Sequence, residues 1–328
     1  MHRAAAPALI FFLALTVYAV SPVKVQSDTI YTIPPVVSLL DEGNADLDEF
    51  RPTTEVSPHG IVESHGHLYS GFPLGPSLAA LPLLAAFDGF VRWTVPIAER
   101  VPTLRVASER WRTRFHAVGQ VDLVFYDTIE LLVASLFVSG AAVFVFLTGR
   151  QVASPASALI VTLLFMFGTS AYSTASRVLW QHSPSILTLA AVLFLLTRPA
   201  QTWRAALGVG VLSALAFTFR PTNAITIFGC AAYFLATRPR WLVPFALGGL
   251  VGPGLSAGAR PPGVDGTAVG AVGPGRQRVH VPQQVQTGQP HLDPGGRPQG
   301  LVPGDDVARG GLQGEREAAG PGKSARRE

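Results

Sequence analysis

Seven apolar stretches of membrane-spanning character occupy the first 257 residues, and a polar segment of about a hundred residues parts the first from the other six. The hydrocarbon core of a bilayer is about 30 Å thick, so a spanning helix needs about 20 apolar residues, with about 17 as the lower limit. The stretches are residues 4–20, 123–147, 155–172, 184–196, 205–219, 224–236 and 242–257. Only 14% of the chain is Asp, Glu, Lys or Arg, against 48% hydrophobic residues. A soluble domain carries about 25% charged residues, so this pattern predicts an all-α, polytopic membrane protein. The net charge of +4 comes mostly from arginines in loops and tail. In a membrane chain such charge reflects topology and anionic headgroups. No motif for nucleic acid accompanies it. The single cysteine, Cys230, excludes an intramolecular disulfide and reads as a small buried hydrophobe.

The chain divides into a first span (1–20), a long external loop with juxtamembrane helices (21–121), a six-helix membrane bundle (122–257) and a Gly/Pro-rich tail (258–328). Ala19 and Ser21 are small enough for a signal-peptidase site, but further spans follow, so residues 4–20 read as an uncleaved anchor. Residues 76–90 are apolar, broken by Pro82, and either span or lie flat at the interface. The flat reading places Arg150, Arg198, Arg204, Arg238 and Arg240 inside and only Arg177 and Arg220 outside among the short loops, as the positive-inside rule prefers. It gives seven spans in the cell (inner or plasma) membrane, the N-terminus inside and the long segment outside. The region 92–114, basic and carrying Trp93 and Trp111, has a headgroup-level composition.

From Gly252 the character changes. Residues 252–328 contain no Phe, Trp or Tyr, yet hold over half of the 33 glycines. Such a segment cannot bury enough apolar surface to offset its ordering entropy, so disorder is expected. It is either a genuine tail or the product of a shifted reading frame in a GC-rich gene. The break falls inside an apolar run with no linker, which favours the shifted frame.

The polar residues that could carry chemistry gather in the loops that the flat reading puts outside. Asp28 follows the first span, with Lys24 four residues before it. A carboxylate at the membrane boundary can act as a general base for a hydroxyl or amine, or be a water-exposed loop residue. The loop 173–183 carries Arg177, whose planar fork suits a phosphate, and Gln181 and His182, which suit sugar hydroxyls or a proton. Arg220 invites the same phosphate reading; snorkelling to headgroups is the plain alternative for both arginines. His65 and His67 have no third ligand nearby in sequence, and Asp41, Glu42, Asp46 and Asp48 match no cation-loop spacing.

Four stretches together resemble the GT-C superfamily of membrane glycosyltransferases, most closely the protein O-mannosyltransferases and lipid A aminoarabinose transferases. They are Lys24-Val-Gln-Ser-Asp28, Gly66-His-Leu-Tyr-Ser-Gly-Phe-Pro-Leu-Gly-Pro76, Ser176-Arg-Val-Leu-Trp-Gln-His182 and Arg220-Pro-Thr-Asn223, and they cover roughly residues 1–250. The resemblance implies a seven-helix core, a first external loop with juxtamembrane helices, a sugar donor linked to polyprenyl phosphate and an active site at the outer face. It places the base or acceptor-orienting role on Asp28 and donor binding on Lys24, Gln26, Arg177, Gln181, His182 and Arg220. Partners are then the lipid-linked donor, an acceptor and membrane lipids. Many members have an acidic residue in the next external loop; here Gln181 and His182 stand there, so no metal and no cofactor is expected. Members continue past seven spans, and this chain instead enters its Gly/Pro-rich tail, so it reads as truncated, with an inactive product as one outcome. The rival class is a transporter or flippase of lipid-linked material. It favours internal repeats and polar midplane helices, neither of which the chain displays.

Overall fold

Each apolar stretch becomes a helix in the computed structural model, which describes residues 5–22 and 28–250 and, at residue 28, the backbone alone. Lys24, Gln26 and the tail from Gly252 lie outside the described residues. In chain order the elements begin with α1 (Ala5–Ala19), a 3₁₀ turn (Asp28–Tyr31), α2 (Pro34–Asp41), a second 3₁₀ turn (Asp48–Phe50) and α3 (Arg51–Val56). The hairpin β1 (Ile61–Ser64) and β2 (His67–Ser70) follows, then α4 (Gly75–Ala98) and α5 (Pro102–Phe115). The remaining helices are α6 (Leu123–Val152), α7 (Pro155–Gly168), α8 (His182–Leu196), α9 (Trp203–Phe219), α10 (Ala224–Thr237) and α11 (Leu242–Gly249). A π-type turn, Ala171–Ala175, lies between α7 and α8. All of these belong to one unit of the chain, Met1–Ala271.

The helix starts follow from their sequences. Asp122, Ser154 and Thr202 cap α6, α7 and α9, each side chain accepting from the backbone N–H three residues on. α6 is the hub: it packs against α1, α7 and α8, while α8 packs on α9 and α9 on α11. The last of these contacts is a backbone approach. A Cβ on Gly210 would strike the Phe245 carbonyl, and one on Gly248 the Leu207 carbonyl, so both positions need glycine.

Among the described residues, two helices are long and apolar enough to cross a membrane: α4 and α6, with 24 and 30 residues. α1, α7, α8 and α9 are apolar but shorter. At 1.5 Å per residue a 15-residue helix reaches only about 22 Å, short of the hydrocarbon core. Of the seven spans expected, several of them short, only one, α6, is long enough among the described residues, and the second long helix, α4, covers the stretch expected to lie flat. The breaks fall where the sequence marks them, with Ser154-Pro155 opening α7 and Arg220-Pro221 following the end of α9.

The segment between α1 and α6 packs as a small core against one end of α6. Tyr31, Ile33, Val36, Leu47, Phe50, Leu84, Trp111 and Phe115 are buried together with Tyr126 and Ile129 of α6. The β1–β2 hairpin pairs Ile61 with Ser70 and Ser64 with His67. Its two turn residues, His65 (φ 54°) and Gly66 (φ 85°), both take positive φ, as a type I′ turn requires.

Candidate functional site

Three segments converge at one end of the bundle. The Asp28–Tyr31 turn meets α6 there through Thr29, whose buried hydroxyl hydrogen-bonds the Glu130 carboxylate. The same carboxylate accepts from the Leu179 backbone N–H, which ties in the connection between α7 and α8. The connection between α9 and α10 joins through Arg220, whose Nη1 lies 3.1 Å from His182 Nδ1. Asn223 donates to Ser185 Oγ at 3.1 Å and to the Ala216 carbonyl at 2.7 Å, fixing this turn against α8 and α9.

His182 and Arg220, 38 residues apart, are thus brought together. His182 stands edge-on to Trp180, with ring centroids 5.0 Å apart. Both His182 and Arg220 are part-buried, open enough to meet a ligand. Gln181, also part-buried, precedes α8 and makes no capping bond with its side chain. Asp28 occupies the first position of the turn that Thr29 anchors.

Arg177 has a different environment. It is 3% exposed. Its Nε donates to the Tyr172 carbonyl at 2.7 Å and its Nη1 to the Tyr18 carbonyl at 3.2 Å. The guanidinium carbon sits 4.3 Å from the Tyr172 ring centroid, a cation–π contact. It therefore fastens the end of α1 to the π-type turn. Only Nη2 is without a hydrogen-bond partner among the described residues.

Glu130 is the residue that sequence reading passed over. It is 1% exposed, and its Oε2 has no hydrogen-bond partner among the described residues. The available signal was a carboxylate inside an apolar run, which is costly unless it serves structure or function. Its partners, Thr29 and Leu179, are distant in sequence and could not be read from spacing.

The acidic patch resolves into tethers. Asp48 Oδ1 accepts from the Leu68 backbone N–H at 2.9 Å, and Oδ2 lies 2.6 Å from His67 Nδ1, which holds the hairpin to the 3₁₀ turn. Burial alone would raise the Asp48 carboxyl. The Leu68 N–H, His67 and Arg51 outweigh it and hold Asp48 below the ordinary carboxylate range. Burial pushes Asp46 and Glu49 the other way, Glu49 despite a hydrogen bond from Ser38. One ligand atom each from Asp46, Asp48 and His67 lies within 4.8 Å of the others, as do those of Glu42, Asp46 and Glu49. Either set could hold a divalent cation, but in the first the Asp48–His67 bond already uses two of the three groups.

Compared with known proteins, the chain matches no family model, no curated protein and no solved structure.

Proposed function

We propose that the chain is a multi-pass membrane glycosyltransferase of the GT-C kind, which moves a sugar from polyprenyl phosphate to an acceptor at the external face of the cell membrane. In this reading α1 and α6 to α11 are seven crossings, the shorter ones completed by flanking non-helical residues, and α4 and α5 are juxtamembrane helices. The observation that carries it is the pairing of Arg220 with His182 at a bundle end to which Thr29, next to Asp28, is also tied. A phosphate-binding cation and a candidate base thus share one end of an apolar bundle. The bundle's surface suits lipid: Leu159, Ile160, Val161, Leu163 and Leu164 are all exposed around α7. Asp88 and Arg92 in the middle of α4 favour a flat α4, since the bilayer centre is costly for charge.

Asp28 takes the proton of the acceptor hydroxyl or amine. The acceptor atom then bonds to the sugar's anomeric carbon as the bond from that carbon to phosphate oxygen breaks. The departing polyprenyl phosphate gains negative charge, which Arg220 stabilises with a preorganised fork of donors. Gln181 and His182 orient sugar or phosphate. Arg177 supports the site from behind through Tyr18 and Tyr172, with one donor group, Nη2, to spare.

The test is transfer of labelled sugar from a polyprenyl-phosphate donor by the chain in lipid vesicles. Asp28→Asn is expected to abolish transfer with helicity intact. Arg220→Ala should slow it on the order of a hundredfold, the usual cost of removing one transition-state donor. Full activity of Asp28→Asn removes Asp28 from the mechanism.

A further inference from the structure

A second charged cleft lies away from the bundle-end site, between α4 and α5. Its main cavity measures 620 Å³ and is lined by Asp41, Arg92, Glu109, Arg112, Thr113 and His116. A smaller recess of 320 Å³ continues along the same two helices and shares Glu109 and Arg112. These volumes suit a small molecule.

The floor is built rather than incidental. His116 Nδ1 lies 2.7 Å from Asp41 Oδ2 and its Nε2 2.9 Å from Asp88 Oδ1. Asp88, 5% exposed, also accepts from Trp111 Nε1 at 3.0 Å and Arg92 Nε at 2.7 Å. Trp111 stacks on Phe115, with centroids 4.4 Å apart. This network fixes Arg92 and His116 before any ligand arrives.

The rim has a balanced set of charges, Arg92 and Arg112 against Asp41 and Glu109. Arg112 has no ion pair or hydrogen bond among the described residues. Glu109 has only the exposed, 3.7 Å contact with Arg105. A polyanion would meet the two carboxylates, and a polycation the two guanidiniums. A zwitterion satisfies both. Two forks from two helices exceed what one carboxylate needs, whereas the oxygens of a phosphate can take both.

The cleft also faces a definite direction. At about 100° per residue, Arg92, Val95 and Glu99 share one side of α4. The exposed apolar residues Leu83, Phe90 and Ile97 lie roughly half a turn away. The side that suits an apolar phase is therefore opposite the cleft, which opens towards water.

We infer that the α4–α5 cleft binds a water-borne zwitterion bearing an aminoalkyl phosphate, its phosphate between Arg92 and Arg112 and its ammonium towards Asp41 and Glu109. The simplest probe is phosphoethanolamine, titrated calorimetrically against the full chain in phosphatidylcholine nanodiscs. Saturable binding is expected, with phosphate alone and ethanolamine alone each about tenfold weaker or worse, the scale of losing one charge-assisted contact. Arg112→Gln should weaken phosphoethanolamine by about tenfold or more. Arg110→Gln, on the same helix but outside the cleft, should leave it unchanged. Because Arg112 has no partner to lose, circular dichroism of Arg112→Gln should match the wild type. No saturable binding, phosphate binding as tightly as phosphoethanolamine, or equal losses in Arg112→Gln and Arg110→Gln would each overturn the inference. Competition by phosphatidylethanolamine vesicles as effective as the free compound would overturn the water-facing assignment and make the source a lipid headgroup.

Discussion

Arg177 and Arg220 occupy two connections at the same end of the bundle, each with polar neighbours, and in sequence they look alike. The fold treats them oppositely. Arg177 is buried, its fork given to two backbone carbonyls and its face to an aromatic ring. Arg220 is part-buried, and its guanidinium meets only the side chain of His182 among the described residues. The π-type turn before Arg177 sets its backbone so that the guanidinium reaches Tyr172 and Tyr18. Pro221, directly after Arg220, starts a 3₁₀ turn that leaves the arginine at the mouth. What separates a structural cation from an available one is therefore whether backbone carbonyls lie within reach.

The largest effect expected from this contrast is in stability. Arg177→Ala removes the guanidinium fork, its ring contact and its packing, leaves the Tyr18 carbonyl only the Ser21 N–H at 3.3 Å and the Tyr172 carbonyl the Ser176 hydroxyl at 3.1 Å, and should cost about 2–4 kcal/mol. A thermal melt in detergent reads this as a large drop in midpoint. Arg177→Lys should recover little, since an ammonium lacks the fork. Arg220→Ala should leave the melt close to wild type, and equal midpoints for Arg177→Ala and Arg220→Ala would break the comparison.

Glu130→Ala comes next. It strands the Thr29 hydroxyl and the Leu179 N–H, at a cost of about 1–3 kcal/mol. Its loss should be local, so hydrogen exchange of residues 28–31 and 176–180 should rise more than that of α9 and α11. Uniform acceleration would show that Glu130 serves the bundle rather than the site. Gly210→Ala sharpens the same point from the other side. It forces α9 and α11 apart for about 1–3 kcal/mol, with protection of 28–31 unchanged.

The smallest effect concerns acid stability. Asp48 is held below its ordinary value of 3.8 in the fold. Its contribution is fully present above that ordinary value and is lost as pH falls through the lower folded one. Glu49, raised above 4.5, acts in the opposite sense and weighs against the fold at neutral pH. Asp48→Asn should thus lower stability at pH 7 slightly and flatten its decline below about pH 4. A melt series from pH 3 to 7 checks the sign, and an unchanged decline would remove Asp48 from the account.

Much of the helical layout was legible in the sequence because composition alone marks apolar runs, whereas the hairpin turned by His65-Gly66 was not read from it. Cys230 is buried as expected. The end of α7 was not legible, because apolar composition continues past Gly168 to Tyr172 although the backbone leaves the α-helix at Gly168. Nor was the burial of Arg177, which depends on carbonyls 5 and 159 residues away. Glu130 and the His116 network stayed hidden for the same reason: His116 meets Asp88 across 28 residues and Asp41 across 75. Loop residues declare their chemistry in sequence, but their partners are set by packing.

The most direct test is the binding of polyprenyl monophosphate to the full chain in nanodiscs, comparing wild type, Arg220→Ala and Arg220→Lys. Saturable binding is expected that weakens by about tenfold or more in Arg220→Ala and is partly restored in Arg220→Lys, with an unchanged thermal midpoint. An unaltered dissociation constant in Arg220→Ala would contradict it.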